Sequence, residues 1–358
     1  MADYFSDSFF NNGTGETIET VKEWGIFSAY ALVLFFGVIG NFSIILLVLC
    51  NYTLQNTANI LITNIAIGDF LVMVLCIPSL MVLQIRHSYP GGIFYCKIMS
   101  SVQVISACLS SLTLAALSYE RYQVITNPLG DKRSNFSRRL KIAYIIIFVW
   151  TVSILLGIPV FVTTTDFYLL DIHVCQFVTH RSVLAKFLKS AILIVGFILP
   201  FFVLAFFNFR IAYCLLSSVR ENRKRVSSVN SPGQDPQSRS RRKLAFIVCV
   251  MVFIFISLWL PYHIFIFVQE FGGRKLMMSS LMNEIQKIIL LPPYISSAVN
   301  PWILYTMSTG YRQRLMRLIT CNRDNKLARF RDDSRMLTLR VIATPKSSIR
   351  SRTCSSLL

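Results

Sequence analysis

The sequence predicts an all-α membrane protein, a seven-transmembrane helix bundle with a short amphipathic helix after the seventh span. Three observations carry this. First, 54% of the 358 residues are hydrophobic and only 15% are charged, where a soluble domain has roughly 25% charged. Second, the few charges avoid long stretches. Residues 24–85 hold one charge, Asp69, and residues 98–119, 142–165, 190–209, 244–269 and 288–311 hold none. Each run reaches the roughly 20 residues that a helix needs to cross the hydrocarbon. Third, segments 121–141, 210–243 and 312–352 carry 6, 9 and 12 Lys and Arg, together 27 of the 36 in the chain. Such a one-sided distribution marks the cytoplasmic segments of a membrane protein, so the net charge of +19 is no footprint of nucleic acid.

Residues 1–24 read as an extracellular N-terminal tail, acidic at Asp3, Asp7, Glu16, Glu19 and Glu23. Lacking the apolar core of a cleavable signal, they leave the first span to act as an uncleaved one. The bundle is expected over 25–306. Its first long run divides at the polar stretch Asn51-Tyr52-Thr53-Leu54-Gln55-Asn56-Thr57 into spans one and two; this first inner loop has no Lys or Arg, so the later loops and the tail set the orientation. Cys50, Cys76, Cys108, Cys214 and Cys249 fall in or at the ends of spans, where buried thiols are expected. Cys96, before span three, and Cys175, between spans four and five, face the oxidising side, and one disulfide between them is the economical reading. The alternation around Cys175 (Val174-Cys-Gln-Phe-Val) fits a hairpin in that outer loop. The inner loop around 217–243 is basic and then turn-rich.

After span seven, Tyr311, Leu315, Leu318 and Ile319 recur at helical spacing opposite Arg312, Arg314 and Arg317. Residues 307–321 therefore read as an amphipathic helix on the membrane surface, ending at Cys321, a position suited to palmitoylation. Residues 322–358, rich in Ser, Thr and Arg, read as a disordered, phosphorylatable cytoplasmic tail. Asn12-Gly-Thr is an external glycosylation sequon.

Polar groups inside spans are costly and tend to be functional. Asp69 is the only acid well inside one, and a lone buried carboxylate needs a proton or a cation for neutrality. Asn41, Ser110, Ser297 and Asn300 lie at similar depth if the spans run antiparallel, and oxygens of this kind suit Na⁺; a purely structural hydrogen-bond cluster is the alternative. Glu120-Arg121-Tyr122 ends span three, where the acid can hold the Arg in a local ion pair or the Arg can snorkel to the interface. Pro78, Pro159, Pro200, Pro261 and Pro301 each free a backbone carbonyl within a span.

Taken in order, Gly40-Asn41, Asn64-Ile-Ala66-Ile-Gly-Asp69, Cys96, Glu120-Arg121-Tyr122, Trp150, Pro159, Pro200, Phe255 with Trp259-Leu-Pro261, and Asn300-Pro301 with Tyr305 resemble the class A (rhodopsin-like) G-protein-coupled receptors along nearly the whole chain. The resemblance implies that Arg121 reaches a heterotrimeric G protein, with Glu120, Tyr122, Tyr305 and, in the second inner loop, Leu129 at the coupling surface. It implies a sodium site at Asp69, Ser110, Ser297 and Asn300, a ligand-coupled pivot at Trp259, and receptor kinases and arrestin as later partners. No enzymatic cofactor is expected, and the location is the plasma membrane, with the N-terminus outside and the C-terminus in the cytoplasm. Three positions depart from the family pattern: Asn208 where a Tyr is usual, Ser111 in place of a bulky aliphatic, and Arg241 where some members have a Glu. They suggest a weakly latched inactive state with raised basal activity.

For the ligand, Gln103 occupies the position of the Asp that pairs with amines in this family, and Tyr294 that of the Lys that binds retinal. Both ligand classes are thereby disfavoured. The expected pocket is Gln103, Lys189, Trp259, Tyr262, His263, Gln286 and Tyr294, whose amide, phenol, imidazole and ammonium groups can satisfy a peptide backbone and its terminus; His263 fits an internal hydrogen bond equally well. Trp259-Leu-Pro-Tyr-His263 is similar to the run in neuropeptide receptors such as those for neurotensin, bombesin, ghrelin and thyrotropin-releasing hormone. An extracellular peptide is the expected ligand, with a lipid or other non-amine small molecule as the alternative. A transporter is remote, since no internal repeat is visible. Enzymatic activity is not expected: Asp69 has no partner carboxylate in another span, and the four His show no zinc-ligand spacing.

Overall fold

Inside hydrocarbon each backbone N–H and C=O must be satisfied within its own segment, so charge-free runs of this length fold as helices. The computed structural model, which describes residues 2–51, 54, 56–86, 91–126, 135–169, 172–177, 183–226, 236–271, 285–286 and 288–320, has that form. The helices are α1 (Ala2–Cys50), α2 (Thr57–Arg86), α3 (Ile93–Thr126) and α4 (Asn135–Thr163). A hairpin of β1 (Thr164–Leu169) and β2 (Ile172–Phe177) follows. The fifth span is α5 (Val183–Leu193), a π turn (Ile194–Ile198) and α6 (Leu199–Val226) in continuous succession. Then come α7 (Pro236–Phe271), α8 (Leu291–Met307) and α9 (Thr309–Ile319).

Six of these segments are long and apolar enough to cross a membrane, and α8 supplies the seventh passage with 17 helical residues. The charge-free run 288–311 is therefore two helices: extended backbone at Ser308 (φ −111°, ψ 108°) ends α8 and starts α9. α1 also begins well before its apolar stretch, extending N-terminally through the segment read as a tail.

α3 is the hub. It packs against α2, α4, α6, α7, the π turn and both hairpin strands. The most apolar windows of α2 and α3 are 67% and 56% buried, against 22% for α4 and the fifth span. The peripheral helices accordingly turn apolar side chains outward, among them Phe35 and Phe42 on α1, Ile147 and Leu155 on α4, and Phe202, Phe206 and Phe209 on α6. In water such faces would be an aggregation hazard; against lipid they cost nothing.

The antiparallel hairpin pairs Asp166 with Cys175, and Cys175 is disulfide-bonded to Cys96 at the start of α3, with Cα atoms 5.8 Å apart. The hairpin loop is thereby tied to the hub by the expected disulfide. Cys76 and Cys108 are buried thiols, whereas Cys50, the last residue of α1, is exposed; Cys214 is disulfide-bonded. In α9, Tyr311 and Leu315 pack on the core, while Leu318 and Ile319 remain exposed with Arg312 and Arg317, the arrangement of a helix lying at an interface. Cys321, Leu129 and the tail lie outside the described residues, as does the Asn12 side chain.

Close packing of α1 on α8 depends on Gly40. A Cβ there would meet Pro301 Cβ at 3.0 Å and Trp302 Nε1 at 3.2 Å, and a proline ring in a helix cannot swing aside. Gly40→Leu should destabilise the purified protein by about 1–3 kcal/mol, read as a lowered thermal unfolding midpoint in detergent. Gly25→Leu, where a Cβ meets nothing within 4 Å, should leave the midpoint unchanged.

Candidate functional site

Asp69 is fully buried on α2. The preceding Gly68 lets α3 approach: Ser106 Oγ donates to the Gly68 carbonyl at 3.0 Å, and a Cβ on Gly68 would stand 2.5 Å from Leu109 Cδ2. That closeness delivers Ser110 Oγ to Asp69 Oδ1 (3.2 Å), while α8 delivers Asn300 Nδ2 to Asp69 Oδ2 (2.9 Å). The Ser297 hydroxyl also bonds the carboxylate. Three of the four residues expected around Asp69 thus meet it, all as neutral donors. Asn41 sits one step back, donating Nδ2 to the carbonyls of Gly37 (2.9 Å) and Ser297 (3.2 Å). Ser297 is four residues before Pro301, so its carbonyl lacks the usual helical donor; Asn41 replaces it from another helix. A cavity of about 10 Å³, lined by Asn41, Ile65, Met251, Asn300, Pro301 and Leu304, adjoins this junction.

At the far end of α3, Arg121 Nε pairs with Glu120 Oε2 at 2.6 Å, and both side chains are largely covered. Of the two readings of this pair, the local ion pair is the one observed. Tyr122 leans on Phe207 of α6, with ring centroids 5.5 Å apart. Tyr305 is buried, and its hydroxyl shares a hydrogen bond with Ser43 Oγ on α1 at 2.7 Å. The described residues expected at a coupling surface, Glu120, Arg121, Tyr122 and Tyr305, are therefore present at one end of the bundle but held by internal partners.

Toward the hairpin end, the expected pocket residues stand in different surroundings. Trp259, Tyr262 and His263 come together on α7. The His263 ring stacks on Trp259 (5.6 Å between centroids, planes 26° apart) and meets Phe197 of the π turn at 4.0 Å. Phe255 continues the stack below Trp259 at 5.7 Å. Tyr294 instead joins Tyr30, 6.2 Å away, in an apolar cluster with Met73, Cys76 and Ile77 between α1, α2 and α8. Gln103 and Lys189 are half-buried, and Gln286 is exposed. Trp259, Tyr262 and His263 thus form one aromatic stack with Phe197 and Phe255.

Several functional partners were not anticipated. Asn64 accepts a hydrogen bond from Trp150 Nε1 (2.9 Å) and donates to Thr113 Oγ1 (2.9 Å), joining α2, α3 and α4. Phe197 and Tyr30 stand in ordinary apolar runs, so no local pattern marks them. Ser111 and Asn208, read as departures that loosen the inactive state, both hold partners. Ser111 Oγ donates to the Gly196 carbonyl at 2.8 Å, and Asn208 Nδ2 donates to Ser118 Oγ at 3.0 Å.

The Asp69 cluster should behave as one unit. Asn300→Ala and Asp69→Ala should each cost about 1–3 kcal/mol by leaving a buried polar group unsatisfied. Their double variant should cost clearly less than the sum. Chemical denaturation of the three variants in detergent checks this, and strict additivity would show that the two residues do not share an interaction.

The family profile described as "7 transmembrane receptor (rhodopsin family)" matches residues 40–304, a stretch that includes Asn41, Asp69, Arg121, Trp259 and Asn300. Over 301 residues the chain is 29% identical to the neuropeptide Y receptor type 6 of Mus musculus, covering 81% of this chain and 79% of that receptor. It is 27% identical over 334 residues to the [Phe13]-bombesin receptor of Bombina orientalis, covering 90% and 82%. Bombesin receptor subtype-3 of Ovis aries is 25% identical over 330 residues, covering 88% and 80%. With the tethered hairpin, the polar cluster and all but the two ends of the bundle inside the matched stretch, the chain belongs to the rhodopsin family of seven-transmembrane receptors.

Proposed function

We propose that this receptor binds an extracellular peptide at the hairpin end of the bundle and activates a heterotrimeric G protein at the Arg121 end. The observation that carries the proposal is Arg121 itself, a largely covered guanidinium held by its own neighbour Glu120. A cation kept this way is a contact surface withheld until the helices part. The peptide reading is supported by the relatives, named as receptors for neuropeptide Y and bombesin, and by the phenol, imidazole and amide groups near the hairpin. Gln103, Lys189 and Gln286 would be first contacts for the peptide; Trp259, Tyr262, His263 and Tyr294 would respond below them.

A ligand that binds an open state more tightly shifts the population toward it by that differential affinity and no more. Pressure on the Phe197–His263–Trp259 stack would move α7 about the helix interruption at Pro261, uncovering Arg121, Tyr122 and Tyr305, with Leu129 completing the surface. In the same reading the N-terminus is extracellular at the plasma membrane, Asn12 is glycosylated, and Cys321 carries palmitate. Receptor kinases would phosphorylate the tail and recruit arrestin.

The Asp69 carboxylate, bonded only by neutral donors among the described residues, fits a cation with hard oxygen ligands. Asp69, Ser110, Ser297 and Asn300 would hold Na⁺, which neutralises the carboxylate and favours the closed state.

A peptide-library screen with a promiscuous G-protein reporter should yield an agonist. Gln103→Ala and His263→Ala should each lower its potency by about tenfold or more, the loss of roughly one good polar contact; unchanged potency in both would remove this pocket. Arg121→Ala should abolish G-protein output while surface expression, read by antibody, persists. Replacing NaCl by choline chloride should raise basal output in wild type but not in Asp69→Asn, and equal responses would argue against a sodium site.

A further inference from the structure

We infer that Ser111 and Asn208 are positioning residues: two hydrogen bonds, Ser111 to the Gly196 carbonyl and Asn208 to Ser118, clip the fifth span to α3 and set how often α7 swings open. The first bond follows from Pro200, which has no N–H to give to Gly196 four residues earlier. The local helix is already displaced there into a π turn, with Leu199 N–H bonded to the Ile194 carbonyl. Ser111 Oγ, whose single proton is shared with the Cys108 carbonyl of its own helix at 3.0 Å, supplies a donor to Gly196 from α3 at the shorter 2.8 Å. Gly196 has no side chain to keep α3 away: a Cβ would lie 2.8 Å from Cys108 Sγ. Ser111 and Ser118 are both fully buried. Seven residues apart, they lie two turns apart on one face of α3.

The lower bond, Asn208 Nδ2 to Ser118 Oγ at 3.0 Å, lies on that same face. Beside it, Phe207 is gripped by Tyr119 and Tyr122, at 5.3 and 5.5 Å, and Arg121 is three residues beyond Ser118. The upper bond lies beside Phe197, which touches His263 of α7 at 4.0 Å. The clips therefore join the aromatic stack at one end to the covered Arg121 at the other, along a single interface. Both are formed in the state in which Arg121 is covered. A bond present in one state and lost in the other biases the pair by its net worth, roughly three- to tenfold for each neutral hydrogen bond.

Native-state hydrogen exchange on the purified full-length receptor in nanodiscs reads this without a ligand. Ser111→Ala and Asn208→Leu should each speed exchange of the α7 amides 244–252 by roughly three- to tenfold. Adding Ser118→Ala to Asn208→Leu should add nothing, since they share one bond, whereas adding Ser111→Ala should multiply the effect. Should either variant fold poorly, Ser118→Ala alone is expected to give the Asn208→Leu result. Wild-type exchange at 244–252 in these variants would overturn the inference, even with faster exchange in 199–212, because the bonds would then merely stabilise the fifth span. Basal nucleotide exchange on an added G protein should rise by the same factor. Faster exchange at 244–252 with a silent G protein would uphold the clips and count instead against the G-protein reading on which this second readout rests.

Discussion

A polar group inside a membrane-spanning bundle has to find its partner within the protein, and α3 is where this protein meets that constraint. Its apolar face is interrupted by Ser101, Ser106, Ser110, Ser111, Thr113 and Ser118, all buried. A helix so rich in hydroxyls would insert poorly against lipid. At the centre of the bundle each hydroxyl instead meets a carbonyl, a carboxylate or an amide: Lys97 O, Gly68 O, Asp69, Gly196 O, Asn64 and Asn208 in turn. The Ser101 bond stays within α3; the interhelical ones are modest singly, on the order of 1 kcal/mol, but each also specifies which neighbour stands at which depth.

The prolines make the same point from the backbone side. A proline within a span leaves the carbonyl four residues earlier without its helical donor. For Pro301 the replacement is Asn41 on α1, and for Pro200 it is Ser111 on α3. The proline interruptions are thereby joined to other helices by side chains. Asp69 sits at the first of these junctions, where α2, α3 and α8 converge, so a change in what it binds alters the contact between three helices at once.

Much of the site was legible because the membrane makes polar residues conspicuous. Asp69 stood alone in a run of 62 residues; depth offered Asn41, Ser110, Ser297 and Asn300 as its neighbours, and the family resemblance singled out the last three. The Cys96–Cys175 bond and the hairpin were legible from compartment and alternation. Less legible were the surroundings of residues whose types permit more than one neighbour. Tyr294 and His263 both read as pocket polar groups, yet one is packed with Tyr30 and Met73 and the other is sandwiched between Phe197 and Trp259. Aromatic rings accept apolar and polar company alike, so composition does not choose between them. Ser111 and Asn208 read as missing bulk, because a comparison of residue types registers what is lost and not the hydrogen bond gained.

By itself the sequence determined the number of spans, the charge asymmetry between their ends, the disulfide and the short list of intramembrane polar residues. Each of these follows from the transfer cost of charge and backbone into hydrocarbon, which acts residue by residue along the chain. Only the tertiary structure decided the pairings: Asn41 with the Ser297 carbonyl, Tyr305 with Ser43, Trp150 with Asn64, Ser111 with Gly196 and Asn208 with Ser118. Hydrogen-bond partners on different helices depend on helix rotation and depth, and those are set by the packing of the whole bundle around α3.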